Sequence, residues 1–237
     1  MKKSLFWHLW ILFIVIPAHG AKRAYIYKGT GSCLDGCSEA AADVAAQAGF
    51  IPSFIHSALI QARILREASV WIQPGGNAIE VANRLTYDQK EVLKDFVRMG
   101  GTYVGFCAGA FLADTFVDDA ETIPGLALIP GTTYDYPLPK GSHILPIFWL
   151  GKTFHLYFEE GPGFRILSGA EIEIIASYPD GTPATVRFKA GLGNVILSGA
   201  HPEAPESWKE GLSDPDGSDI HLAIRLLQAS AITSTSR

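Results

Sequence analysis

Three short stretches carry groups that could perform acyl chemistry together. In "GFCAG", Cys107 is flanked two residues to either side by Gly105 and Gly109. A nucleophile displayed at a sharp strand–helix turn needs small neighbours there, because larger side chains clash as the chain doubles back. In "HPE", His201 and Glu203 stand at i and i+2, which point the same way in extended backbone. Glu203 can accept a hydrogen bond from one imidazole nitrogen and leave the other to take a proton from Cys107. In "QPGGN", Gly75 and Gly76 let the backbone approach a substrate closely. The Gly76 amide opposite that of Ala108 would form a two-donor oxyanion hole, and losing one such donor costs about 10²–10³ in rate. Each stretch also has a plain structural reading: a buried thiol, a histidine ending a strand, a type II turn.

The elements around these stretches put them on one edge. Apolar strands are expected at 23–28, in "FIPSFIH", in "ASVWIQ" and in "TYVGF", with helices between. "CSEAAADVAAQAG" reads as a helix capped by Ser38 and ended by Gly49; "TYDQKEVLKDFVRMGG" reads as one capped by Thr86 and stopped by Gly100. Strands alternating with helices imply parallel βαβ units and a sheet covered on both faces. From about residue 121 the pattern changes to strand-like runs separated by Gly, Pro and Asp turns, expected as antiparallel additions. "GLGNVILSGAHPE" returns to the parallel style, and "SDIHLAIRLLQASA" closes with an amphipathic helix. The expected fold is a flavodoxin-like three-layer α/β sandwich with a mostly parallel central sheet and antiparallel strands added in the C-terminal half. Ligand sites of such sheets lie outside the carboxyl ends of the strands. All three stretches end such strands.

Composition narrows the setting. The chain has 237 residues, 48% hydrophobic and 18% charged, ample for one core and not a disordered composition. "MKKS", the apolar run Leu5 to Ile16 and "PAHG" read as a signal peptide cleaved near Gly20/Ala21. That leaves one domain, 21–237, expected in the periplasm or secreted, with no membrane span. No basic patch remains to suggest nucleic acid as a partner. In an oxidising compartment Cys33 and Cys37 can close a small disulfide loop, leaving Cys107 free; in a reducing one both stay thiols. No paired Cys or His stands at zinc spacing, and "DPDGSD" (214–219) lacks the full calcium-loop pattern, so no metal is expected.

Together, "GFCAG", "HPE" and "PGG" resemble the Cys–His–Glu triad and oxyanion loop of the class I glutamine amidotransferase-like superfamily. "YIYKGTGSC", "QPGGNA", "YVGFCAGAFLA", "LYFEEGPGF" and "GNVILSGAHPE" are similar, more narrowly, to the branch named for the N-terminal domain of biotin–protein ligases. The resemblance runs from about residue 23 to 206. It implies that Tyr157, Glu159, Glu160 and Gly161 border the pocket, with an ordinary hairpin as the alternative reading of the same segment. The chain carries no biotin-ligase catalytic domain, synthase domain or ATP-binding signature, so neither biotinylation nor ammonia transfer is carried over and no cofactor is expected. "GTTYDYP", with Tyr134, Asp135 and Tyr136, reads as a structural turn or a specificity loop.

Two functions follow. The first is an exported cysteine-dependent hydrolase acting on an amide bond of a small molecule or peptide, with glutamine and γ-glutamyl compounds as candidates. The second is a non-catalytic periplasmic binding or interaction domain that keeps the fold. Oligomeric state is not legible in the sequence.

Overall fold

The structure, a computed structural model, describes residues 22–232. The expected signal peptide and the tail at 233–237 lie outside the described residues. In the first half, β1 (Arg23–Tyr27), α1 (Cys37–Gln47), β2 (Ile51–Ile55), α2 (Ala62–Leu65) and β3 (Ala68–Gln73) follow one another. Then come α3 (Ala78–Arg84), α4 (Tyr87–Arg98), β4 (Thr102–Phe106) and α5 (Ala108–Leu112). The second half begins with β5 (Gly131–Asp135), β6 (Ser142–Trp149), β7 (Lys152–Glu159) and β8 (Pro162–Ile166). It ends with β9 (Ile172–Ser177), β10 (Pro183–Ala190), β11 (Gly193–Ser198) and α6 (Ile220–Ile232).

Nine strands form one sheet in the order β2-β1-β3-β4-β11-β10-β9-β6-β7, while β5 pairs with β8 alone. The first five in that order run parallel, and β10, β9, β6 and β7 are added antiparallel. The expected mostly parallel sheet with later antiparallel strands is what forms. Pro146 fits inside β6 because only Phe148 and Trp149 pair with β9, so its missing N–H breaks no ladder on that side.

Side-chain alternation explains the burial of both faces. In β1, Ala24 and Ile26 pack with Val44 and Ala45 of α1 and Leu222 of α6. Tyr25 and Tyr27 turn the other way, into a cluster with Trp71, Tyr103 and, from α4, Leu93 and Val97. The capping of α4 is a reciprocal box: Gln89 N–H donates to Thr86 Oγ1 at 3.3 Å, and Thr86 N–H donates to Gln89 Oε1 at 2.9 Å. Ser38 is not a cap. Gly36, left-handed at φ 86°, takes the N-cap position of α1, and the Ser38 hydroxyl donates to Tyr27 O at 2.8 Å instead. Among the described residues no helix is long and apolar enough to cross a membrane.

This sheet gathers the three stretches. β4 lies between β3 and β11, with Gln73 opposite Gly105 and Ser198 opposite Phe106. The carboxyl ends of three neighbouring strands therefore deliver "PGG", "CAG" and "GAHPE" to one edge.

Candidate active site

Cys107 sits at the turn from β4 into α5 with φ 46° and ψ −107°. Such a conformation costs a non-glycine residue about 1–3 kcal/mol and persists only where its surroundings impose it. Here the Cys107 N–H donates to Ser198 O at 2.8 Å, and the Cys107 carbonyl accepts from the Ala110 and Phe111 amides at 2.8 and 3.1 Å. The flanking glycines are required by close approach. A β-carbon at Gly105 would lie 2.4 Å from Gly109 O, and one at Gly109 would lie 2.1 Å from Gln73 O. The thiol is buried, and its Sγ lies 3.5 Å from the main-chain oxygen of Glu159.

His201 follows β11 and is fixed by pairing with β7: its N–H donates to Tyr157 O at 2.9 Å. Its Nδ1 lies 2.8 Å from Glu203 Oε1, with the imidazole 4% and the carboxylate 0% exposed. The i, i+2 meeting is not made in extended backbone. Ala204 N–H bonds back to His201 O at 3.1 Å, so a turn folds the carboxylate under the imidazole. His201 and Cys107 stand against the same residue, since a β-carbon on Gly75 would lie 2.9 Å from the imidazole Cε1 and 3.8 Å from Cys107 Cβ. Burial opposes the imidazolium, but the Glu203 carboxylate and the Cys107 contact outweigh it and hold the His201 pKa well above 6.5. Tyr157 and Trp208 both pack edge-on against the imidazole, with centroids 5.7 and 5.6 Å away.

The Gly75–Gly76 loop is held by the segment after β1. Ser32 bridges Gly76, and Asn77 N–H donates to Gly31 O at 2.8 Å. Gly76 adopts φ 138°, and a β-carbon there would meet Gly31 O at 2.1 Å. Asn77 then caps α3 by accepting from Glu80 N–H at 3.1 Å. Among the described residues no protein acceptor meets the Gly76 or Ala108 amide. Cys33 and Cys37 are joined by a disulfide, with Cα atoms 5.7 Å apart, and Cys107 is the free thiol. A β-carbon at Gly75 would lie 3.3 Å from Cys37 Sγ and 3.8 Å from Cys107 Cβ, so the disulfide stands beside the thiol.

These groups open onto a cleft of about 1330 Å³ lined by Gly76, Cys107, Ala108, Tyr157, Glu159, Glu160 and His201. Gly75 and Gly161 lie behind the wall. The Gly161 carbonyl accepts from Tyr136 N–H at 3.2 Å, and its α-carbon abuts Gly199. Sequence reasoning missed Trp208, Asp35 and Glu80, which also line the cleft, and it left Asp135 undecided. Their signal was weak: a lone indole in a polar segment, an acid in a turn and an acid in the first turn of a seven-residue helix have no periodicity to read. Away from the cleft, Asp214, Asp216 and Asp219 present oxygens within 4.8 Å of one another. The Lys209 ammonium is the cation among them, 2.6 Å from Asp214 Oδ2 and 3.6 Å from Asp219 Oδ2.

Comparison with known proteins fits this architecture. A family model described as "Biotin-protein ligase, N terminal" matches residues 23–122. A biotin–protein ligase of Schizosaccharomyces pombe (strain 972 / ATCC 24843) is 27% identical over 159 residues, covering 56% of this chain and 25% of that protein. The chain thus spans about a quarter of the length of that curated relative. A solved glutamine amidotransferase superposes with TM-score 0.66 at 18% identity, covering 87% of this chain and 98% of the other. A β-galactosidase from Bacillus circulans sp. alkalophilus superposes at 0.57 with 14% identity, covering 90% of this chain and 31% of the other. At these identities the solved structures speak to fold alone, and a fold hosts several chemistries.

Proposed function

We propose that this chain, whose fold is class I glutamine amidotransferase-like and of the biotin–protein ligase N-terminal type, is a cysteine-dependent hydrolase of amide bonds. The observation that carries the proposal is the continuous line Glu203–His201–Cys107. It begins with a buried 2.8 Å carboxylate–imidazole contact and ends at a thiol held in a strained turn. Cys107 gives its proton to His201 and attacks the carbonyl carbon. The oxygen gains the negative charge and is held by the Gly76 and Ala108 amides. His201 returns the proton to the leaving nitrogen as the C–N bond breaks, leaving an acyl-thioester on Cys107. Water, deprotonated by His201, then attacks that carbonyl and releases the acid and the free thiol. Glu203 keeps Nδ1 engaged, so Nε2 is the nitrogen that works. α5 has five residues and contributes little dipole, so the Ala108 amide itself is the donor.

Tight carboxylate–histidine–thiol packing is hard to explain as scaffolding, because burying an ionisable pair is costly unless it is used or very well satisfied. The disulfide beside the cleft, with the basic and apolar N-terminal run, supports an exported setting. Intact-mass measurement after mixing with amide substrates tests the reaction. A transient acyl adduct on wild type that is absent from Cys107→Ala supports hydrolysis. Saturable binding with neither adduct nor product favours the binding-domain alternative.

A further inference from the structure

Five carboxylates ring the cleft: Asp35, Glu80, Asp135, Glu159 and Glu160. Among the described residues no lysine or arginine lines it. Among the described residues none of the five forms an ion pair within 4 Å, whereas Glu39, Glu91, Asp95 and Glu173 elsewhere on the surface do. The whole chain carries 24 acidic and 19 basic residues, so a five-to-none lining exceeds what the average surface charge explains.

Two of these acids, Glu159 and Glu160, stand at the end of β7, where the main chain passes the thiol. The main-chain oxygen of Glu159 is 3.5 Å from Cys107 Sγ. The Glu159 carboxylate accepts from Tyr157 OH at 3.0 Å and from Ser142 Oγ at 3.4 Å, two neutral donors that orient it without cancelling its charge. Tyr157 stays a donor, because burial and the neighbouring carboxylate push its pKa up to about 12. Glu160 is held at φ 49°, an uncommon conformation for a side chain of its length. Burial, with the charges of Asp119 and Glu160, raises the Asp135 carboxyl pKa against the pull of Lys140, so this wall is an electronegative region. Trp208 adds an aromatic surface to the same cleft.

We infer that the cleft selects substrates carrying net positive charge, specifically amides with an ammonium group beside the scissile bond that meets Glu159 and Glu160. The acids do not constitute a site by themselves; they select at the cleft whose floor is Cys107 and His201. This inference rests on the hydrolase reading and narrows it, since a zwitterionic or anionic amide would meet uncompensated carboxylates. Focused fields in such clefts change association rates by about 10–10³.

The test does not require turnover. Cys107 is alkylated with three iodoacetamides of matched size whose N-substituent ends in trimethylammonium, hydroxyl or carboxylate, and adducts are followed by intact mass at low salt. We expect the cationic reagent to react at least about tenfold faster than the anionic one, with the neutral reagent between them. The ratio should shrink towards one at about 0.5 M salt, and also in Glu159→Gln/Glu160→Gln and in Asp135→Asn. Equal rates for all three reagents on a labelled Cys107 overturn this inference and leave the hydrolase reading standing. No adduct on Cys107 with any reagent overturns that reading, and this one with it.

Discussion

The α-carbon of Gly75 lies directly against the imidazole of His201: a β-carbon there would stand 2.9 Å from Cε1. Even one methyl group must push the ring, and the ring is fixed on its other side by Glu203. Gly75→Ala should therefore fold while misplacing His201. Misplacement by about 1 Å can cost about 10²-fold in rate, so kcat should fall by one to two orders of magnitude with an unchanged melting profile. An unaltered kcat would mean that the ring can yield without consequence.

Glu203→Gln should lower the His201 pKa towards its ordinary value near 6.5. The sign follows from the raised folded-state value. The stabilisation is fully present below 6.5 and is lost as pH rises through the folded pKa, so wild type should exceed the variant most at low pH. Breaking a buried pair costs about 3–5 kcal/mol, readable as a shifted denaturant midpoint. Titration of the imidazole by NMR in both proteins checks the pKa itself.

Reduction of Cys33–Cys37, or Cys33→Ser, should loosen the segment whose Ser32 and Gly31 hold Gly76 and Asn77. For so short a loop the chain-entropy estimate is about 2 kcal/mol, which corresponds to a drop of about 4–8 °C in Tm. Turnover should fall further than Tm implies, because the loop presents the Gly76 amide. Melting curves and kcat measured with and without reductant give both numbers.

Asp219 is buried beside Lys209, and burial, with the charges of Asp216 and Asp214, lifts its pKa from 3.8 to about 7 against the pull of Lys209. A raised folded-state value means stability is present below pH 4 and is lost as pH climbs to about 7. Asp219→Asn should flatten that part of the Tm–pH curve and melt higher than wild type at pH 8. A variant that melts lower there would show that the Lys209 ion pair outweighs the burial.

The parts of this molecule that were legible in sequence are those where one force dominates. β3, β4 and β11 are nearly all apolar because both faces are covered, and Thr86 announces α4 because its cap and Gln89 are adjacent in the chain. The meeting of "PGG", "GFCAG" and "HPE" could be inferred because parallel strands share a carboxyl edge. Other features depend on partners far away in the chain. α3 is seven residues with too little periodicity to read, and "GTTYD" becomes β5 only because β8 pairs with it. Its Thr133 hydroxyl also binds the buried Asp114 at 2.7 Å, a contact between residues 19 apart. Trp208 packs on His201 from a short loop held by Lys209 and its acids, which no local pattern encodes.

The central claim is that Cys107 is a nucleophile activated by His201. The most direct measurement is the alkylation rate of Cys107 by iodoacetamide between pH 5 and 9, in wild type and in His201→Ala, followed by intact mass. In wild type, alkylation should stay fast well below pH 8.5, where an ordinary thiol is mostly protonated, and His201→Ala should restore ordinary thiol behaviour. A wild-type profile that rises only near pH 8.5, or one unchanged by His201→Ala, would contradict the account.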